Sequence, residues 1–209
     1  MEPAVTVAGM DEAGFWDVIE DAYAALECGY YKDELPRDAV AQAWLDNLDT
    51  LPLNELLDFA VHFERILERA WRPEVWAAAC LLAGGTADTW HAYFRYEDRF
   101  TDFRASLLAL GRTSFETVVA DPDALADLPD MAAVEDGHWD LFMKLHQVPE
   151  DAYVQAGGDR GDFARAVADR LGARVRRGAP PDDGRWRVDE DALPERYPRL
   201  ATRFPDGTV

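Results

Sequence analysis

Histidine, cysteine, serine and a group of acidic and basic side chains are the residues of this 209-residue chain with the means to do chemistry. The histidines are His62, His91, His138 and His146. No two stand at the i, i+4 spacing that puts two imidazoles on one helix face for a metal. Glu135-Asp136-Gly137-His138-Trp139 is the one local group with carboxylates beside an imidazole, and a surface helix start explains it without a ligand. Cys28 and Cys80 read as buried thiols rather than a disulfide, since Cys80 lies in the most apolar segment. Ser106 and Ser114 lack the strand–turn–helix setting of a nucleophile elbow. Gly84-Gly85 lacks the longer glycine pattern and the lysine of a phosphate loop, and reads as a helix stop. No metal site, cofactor site or catalytic constellation emerges from these spacings.

What remains is a polar and aromatic group around one predicted helix. Asp98 can cap that helix by accepting a free backbone N–H, or can position a proton or a cation. Arg104 and Arg112 can take an anionic group through paired N–H bonds, or form structural ion pairs. Asp88 or Asp98 can join either arginine in a buried network. Trp90, Tyr93, Phe94 and Tyr96 supply aromatic surface of the kind that concentrates at interfaces. The candidate ligand or interface residues are therefore Asp88, Trp90, Tyr93, Asp98, Arg104 and Arg112.

Helices must position them. Asp11 can cap a helix from Glu12 to about Cys28, Pro36 starts one through Leu48, and Pro52 starts one through Trp71. The predicted inner face of that third helix is Leu53, Leu56, Leu57, Ala60, Glu64, Leu67 and Trp71. Pro73 opens an almost wholly apolar helix that ends at Gly84-Gly85. Phe100, Phe103, Leu107 and Leu110 form one stripe, stopped by Gly111. Trp90, Tyr93 and Phe94 cluster about 100° from that stripe, which predicts a kink or break between Arg95 and Arg99. Further helices are expected over Thr113–Ala120, Met131–Val148 and Glu150–Ala156, with a basic helix capped by Asp162. Asp123 can cap a short turn through Leu128. Arg174 to Trp186 reads as an exposed linker, Arg185–Val188 as a short extended piece, and Leu193–Phe204 as a last turn or helix. The helical period holds nearly everywhere. The expected fold is all-α, a single compact multi-helix domain with short connections and an irregular C-terminal segment. Its expected parts are a tail over 1–10, an acidic helical core over 11–156 and an Arg-rich extension over 157–209 that packs on the core.

Several of these residues resemble a known pattern. Trp76-Ala77-Ala78, Gly84-Gly85, Asp98, Phe100, Phe103-Arg104, Leu107-Leu108, Gly111-Arg112 and Asp121-Pro122-Asp123-Ala124-Leu125-Ala126 are similar to the domain-of-unknown-function 4240 family of bacterial proteins. Phe15-Trp16, Ala152-Tyr153 and Tyr197-Pro198-Arg199-Leu200 are further echoes. There are two departures. Ser106 replaces the pattern's tryptophan, and Asp98 lies roughly nine residues farther from Gly85 than the pattern's helical repeat allows, as if by an insertion. The resemblance implies no particular activity.

Charge sets the remaining expectations. The net charge is −20, from 21 Lys+Arg and 41 Asp+Glu. Residues from Gly157 onward carry eleven of the basic and ten of the acidic side chains, so the earlier part holds ten basic against 31 acidic. Such a surface repels a phosphate backbone, which argues against nucleic acid. It fits docking to a basic or mixed-charge protein partner. No apolar run has the length of a membrane span, and Met1-Glu2-Pro3 has no signal-peptide character. The expected location is the cytoplasm. The expected role is a non-enzymatic interaction module (adaptor, regulatory or immunity-like), and the alternative is an enzyme or small-molecule binder with a polar pocket near Asp98, Arg104 and Arg112.

Overall fold

In the computed structural model the described residues are 9–29, 39–84, 98–136, 139–172, 180 and 184–208. Asp88, Trp90 and Tyr93, most of the predicted kink, Pro36, His138 and the Cys28 side chain lie outside the described residues or side chains.

The all-α expectation holds: the described residues form helices and no strand. In chain order they are α1 (Glu12–Gly29), α2 (Ala39–Leu48), α3 (Leu53–Arg69), α4 (Pro73–Ala83), α5 (Arg99–Ala109) and α6 (Gly111–Ala120). A 3-10 turn (Pro122–Asp127), α7 (Met131–Glu135) and a second 3-10 turn (Leu145–Gln147) follow. The chain ends with α8 (Val148–Gln155), α9 (Arg160–Leu171), a third 3-10 turn (Glu190–Ala192), α10 (Leu193–Arg196) and α11 (Pro198–Arg203).

Local chemistry fixes several ends. Asp11 Oδ1 accepts the Gly14 N–H at 2.9 Å, which satisfies a free donor at the start of α1. Pro73 occupies the first turn of α4, where a missing N–H costs nothing. Gly84 closes α4 with φ +67°. A Cβ there would stand 2.6 Å from the Asp206 carbonyl oxygen, so this glycine is needed for both its backbone angle and its lack of bulk.

The core is built on α3, α4 and α5. Every residue from Val75 to Leu82 is buried, and so is every residue from Phe100 to Ala109. Cys80 is a buried free thiol, and burial pushes its pKa far up, so it stays protonated. α3 is buried on two faces. Leu56, Phe59, Phe63, Ile66 and Leu67 enter the main core, while Leu57, Ala60 and Val61 join Phe163 and Val167 of α9 in a second, smaller cluster. The single stripe expected for α3 left out Phe59, Phe63 and Ile66. It also included Leu53, which is 37% exposed. A central helix packed by neighbours on both sides has no solvent face wide enough to show one clean period.

Other expectations are corrected. The predicted helix over Met131–Val148 stops at Glu135. Trp139, Leu141, Phe142, Met143 and Leu145 are all buried, a set that no single helical stripe can turn inward at once. An irregular run can, and Asp140 Oδ1 stabilises its turn by accepting the Phe142 N–H at 2.7 Å. Asp159, not Asp162, caps α9, accepting the Gly161 N–H at 2.7 Å. Asp121, not Asp123, caps the first 3-10 turn. Pro198 splits the last helix into α10 and α11. Residues 185–188 contain no strand, though Trp186 is buried.

The C-terminal elements fold back on the core. Trp76 Nε1 donates to the Trp186 carbonyl at 3.0 Å, and Tyr197 Oη donates to the Glu74 carbonyl at 2.8 Å. The Thr208 N–H reaches the Leu82 carbonyl at 2.6 Å, beside the contact between Gly207 and Gly84. The approach that the Gly84 end permits is thus filled by the chain's own C-terminal segment.

Candidate functional site

Of the sequence candidates, three can be placed, and they do not converge. Arg104 is 1% exposed and sits inside the core. Its Nη1 donates to the Leu67 carbonyl at 3.0 Å, its Nε to the Phe100 carbonyl at 3.3 Å and its Nη2 to Thr101 Oγ1 at 3.2 Å. The guanidinium carbon lies 4.7 Å from the Trp71 ring centre and 5.0 Å from that of Phe100. Trp71 and Phe100 in turn pack against Trp186, and Trp76 packs on Phe100. Carbonyl oxygens and aromatic faces therefore solvate this buried cation and tie α3, α5 and the C-terminal segment together. Arg112 lies on the surface at the start of α6, where its Nε donates to Glu116 Oε1 at 3.2 Å. Arg69 reaches the same carboxylate at 3.4 Å, and the two arginines hold the Glu116 pKa below its ordinary value.

Asp98 precedes α5 but does not cap it with its side chain. Its backbone, at φ −72° and ψ +36°, is not the extended conformation that aims a capping carboxylate at the helix N–H groups. The carboxylate instead faces His146, with Oδ2 4.0 Å from Nε2.

That contact opens onto a constellation the sequence spacing hides. One helical turn after Asp98, Asp102 points into the core at 1% exposure. Its Oδ1 lies 2.7 Å from His146 Nδ1. An ionised carboxylate can only accept, so Nδ1 carries the proton in this bond. Burial is the main cause that raises the Asp102 pKa, while the hydrogen bond from His146 and the nearby charges of His146, Arg99 and Lys144 pull it down. His146 is itself buried, 44 residues away in sequence, on the 3-10 turn that follows the irregular run.

The same run has two more anchors on α5. Ser106 Oγ accepts the Met143 N–H at 2.9 Å, and Arg99 Nη1 donates to the Phe142 carbonyl at 3.5 Å. Ser106 thus satisfies a buried backbone donor of a segment that is not helical. No periodicity of the sequence links Asp102 to His146, 44 residues on. One signal was present: Asp102 falls within the Phe100–Leu107 apolar stretch, and a carboxylate carried inward needs a partner.

A second polar assembly holds the C-terminal helices. Asp123 is buried, and its Oδ1 accepts the Leu200 N–H at 3.0 Å. Its Oδ2 accepts from the Arg199 N–H at 3.3 Å and from Arg199 Nε at 3.0 Å. Arg199 Nη2 reaches Asp121 Oδ2 at 2.6 Å, and Nη1 pairs with Asp127. The side-chain hydrogen bonds of these carboxylates, Asp123 foremost, push the Arg199 pKa up, so the guanidinium stays charged. Asp123 caps α11 across space, so the aspartates around Pro122 are explained by Arg199 and Leu200 without a ligand.

The described residues include no group of three or more His, Cys, Asp or Glu side chains arranged for a metal ion, and no helix among them is long and apolar enough to cross a membrane. An all-α domain with a buried Asp–His pair and a tethered C-terminal strap is what the fold and these sites define. The chain belongs to the family described as Protein of unknown function (DUF4240), whose sequence pattern matches residues 10–155. The match includes Asp102, His146 and the aspartates around Pro122, and ends before Arg199. No curated protein and no solved structure matched the chain.

Proposed function

We propose that this protein is a cytoplasmic, non-enzymatic interaction module that docks a basic or mixed-charge protein partner through its α1–α2 face. One observation carries this reading: four arginines of the C-terminal third, Arg160, Arg170, Arg199 and Arg203, pair with acids of the preceding chain, and α1 and α2 contain acids but no lysine or arginine. Arg160 pairs with Glu150 and Asp151, Arg170 with Asp58, Arg199 with Asp121, Asp123 and Asp127, and Arg203 with Glu135. Asp17, Asp21 and Asp46 are exposed on α1 and α2, and Asp49 follows in the next turn. Asn47 Nδ2 donates to the Val18 carbonyl at 3.1 Å, which sets the end of α2 beside the middle of α1. The face therefore keeps its negative field for an external partner.

The test is capture of partners from native lysate at low and high salt, using the full chain and a variant with Asp17, Asp21, Asp46 and Asp49 changed to Asn. A stoichiometric partner released by salt and lost in the variant is expected. A partner held equally by both proteins at both salt levels would remove the electrostatic basis of the proposal. The arginine-centred pocket gains no support from the geometry, because Arg104 and Arg112 face different surroundings.

A further inference from the structure

We infer that Asp98 and His146 form a binding subsite for a primary ammonium group, such as a lysine side chain of the docking partner. The site's atoms come from the molecule's own polar pairing. Asp102 accepts from Nδ1, so whenever His146 is in its neutral form the ring's lone pair stands at Nε2. The His146 side chain is 7% exposed, and the polar group facing Nε2 is the Asp98 carboxylate at 4.0 Å. That distance is beyond a hydrogen bond, and an ionised carboxylate has no proton to give. Among the described residues, two acceptors thus converge with no donor between them. The carboxylate stands at the surface, 47% exposed, while the imidazole is fixed behind it.

A single nitrogen about 2.8 Å from each atom spans two acceptors separated by this distance, so one ammonium can donate to both. It would bring the missing donors and a charge that Asp98 prefers. Arg99 and Lys144 are the nearby cations, and Arg99 is directed at the Phe142 carbonyl. From α8, which also packs on this turn, Glu150 and Asp151 are engaged by Arg160. The positive neighbours moderate the attraction, so recognition depends on the paired acceptors and not on net charge. The subsite deepens the docking proposal by naming the side chain it would take, but it lies on α5 and the second 3-10 turn, apart from the α1–α2 acids.

The experiment is NMR of the full chain with labelled histidine at pH 8. It is titrated with N-acetyl-lysine methylamide and, separately, with the uncharged norleucine analogue. A saturable shift of the His146 Nε2 resonance with the lysine compound alone is expected. It should weaken by about tenfold or more in Asp98→Asn, as loss of a charge-assisted hydrogen bond requires, and stay unchanged in Glu116→Gln on the remote α6 surface. Finding no shift, an equal shift with norleucine, or Nε2 already protonated and closed onto Asp98 at this pH would each overturn the inference. The titration uses no partner protein, so its failure and a failure of salt-dependent docking are read separately.

Discussion

At the residue scale, the pair of Asp102 and His146 shows how a buried charge is tolerated. The carboxylate is taken out of water, which disfavours its ionised form, and the Nδ1–H bond returns part of that cost. Asp102→Ala removes the acceptor and leaves a buried N–H without a partner, so a loss of about 1–3 kcal/mol in urea unfolding is expected. Asp102→Asn keeps a carbonyl acceptor without the charge and should cost less than Ala. The pH dependence follows from the raised pKa. The folded protein binds this proton more tightly than the unfolded chain, so the site's penalty is constant above the folded pKa and is relieved as pH falls through it, until the unfolded value near 3.8 is reached. The cost of Asn relative to the native Asp should therefore grow as pH falls toward that value. A difference that stays level with pH would show that Asp102 does not titrate in this way.

At the element scale, two contacts decide whether α10 and α11 stay on the core. Arg199 is shared among Asp121, Asp123 and Asp127, and only Asp123 is buried. Arg199→Ala leaves that buried carboxylate with backbone N–H partners alone. Given the exposure of the other two pairs, a cost of about 1–3 kcal/mol is expected. The loss should be read as faster hydrogen exchange in residues 193–204, with little change in α3 and α4. Gly207 has φ +79°, and a Cβ there would meet the Gly84 N and Cα at 2.7 Å. The atoms in the way belong to backbone, so Gly207→Ala must push the segment off. Loss of protection at the Thr208 amide is the expected result, while the core's unfolding midpoint changes little. Protection retained at Thr208 would mean that the close approach is not required.

At the scale of the whole molecule, charge dominates. A net −20 on a single helical body is self-repelling, and salt screens that repulsion along with the surface ion pairs. Exposed pairs contribute little individually, whereas the excess of acids acts over the whole surface. The melting temperature should therefore rise by a few degrees, roughly 2–5 °C, between low salt and about 0.5 M NaCl. A fall over that range would show that the pairs made by Arg160, Arg170 and Arg199 outweigh the repulsion. The same excess bears on docking, where salt should act in the opposite sense and weaken the complex.

Much of the fold was legible in the sequence because helix formation is local. The Asp11 cap, Pro73, the Gly84 stop and the apolar run of α4 all act within a few residues, and the helical period pointed to the all-α fold that the described residues have. The acidic balance and the family pattern were likewise properties of the string. Tertiary structure decided the partnerships. Asp102 meets His146 across 44 residues, and Asp123 meets Arg199 across 76. Neither spacing follows from a period, because the first depends on the irregular run that ends at His146 and the second on a strap that returns to the core. The helix expected from Met131 to Val148 failed for the same reason: apolar residues at non-helical spacing were turned inward together by what they pack against. Backbone propensity is set by neighbours along the chain, whereas a buried polar group takes whichever partner the packed chain brings within about 3 Å.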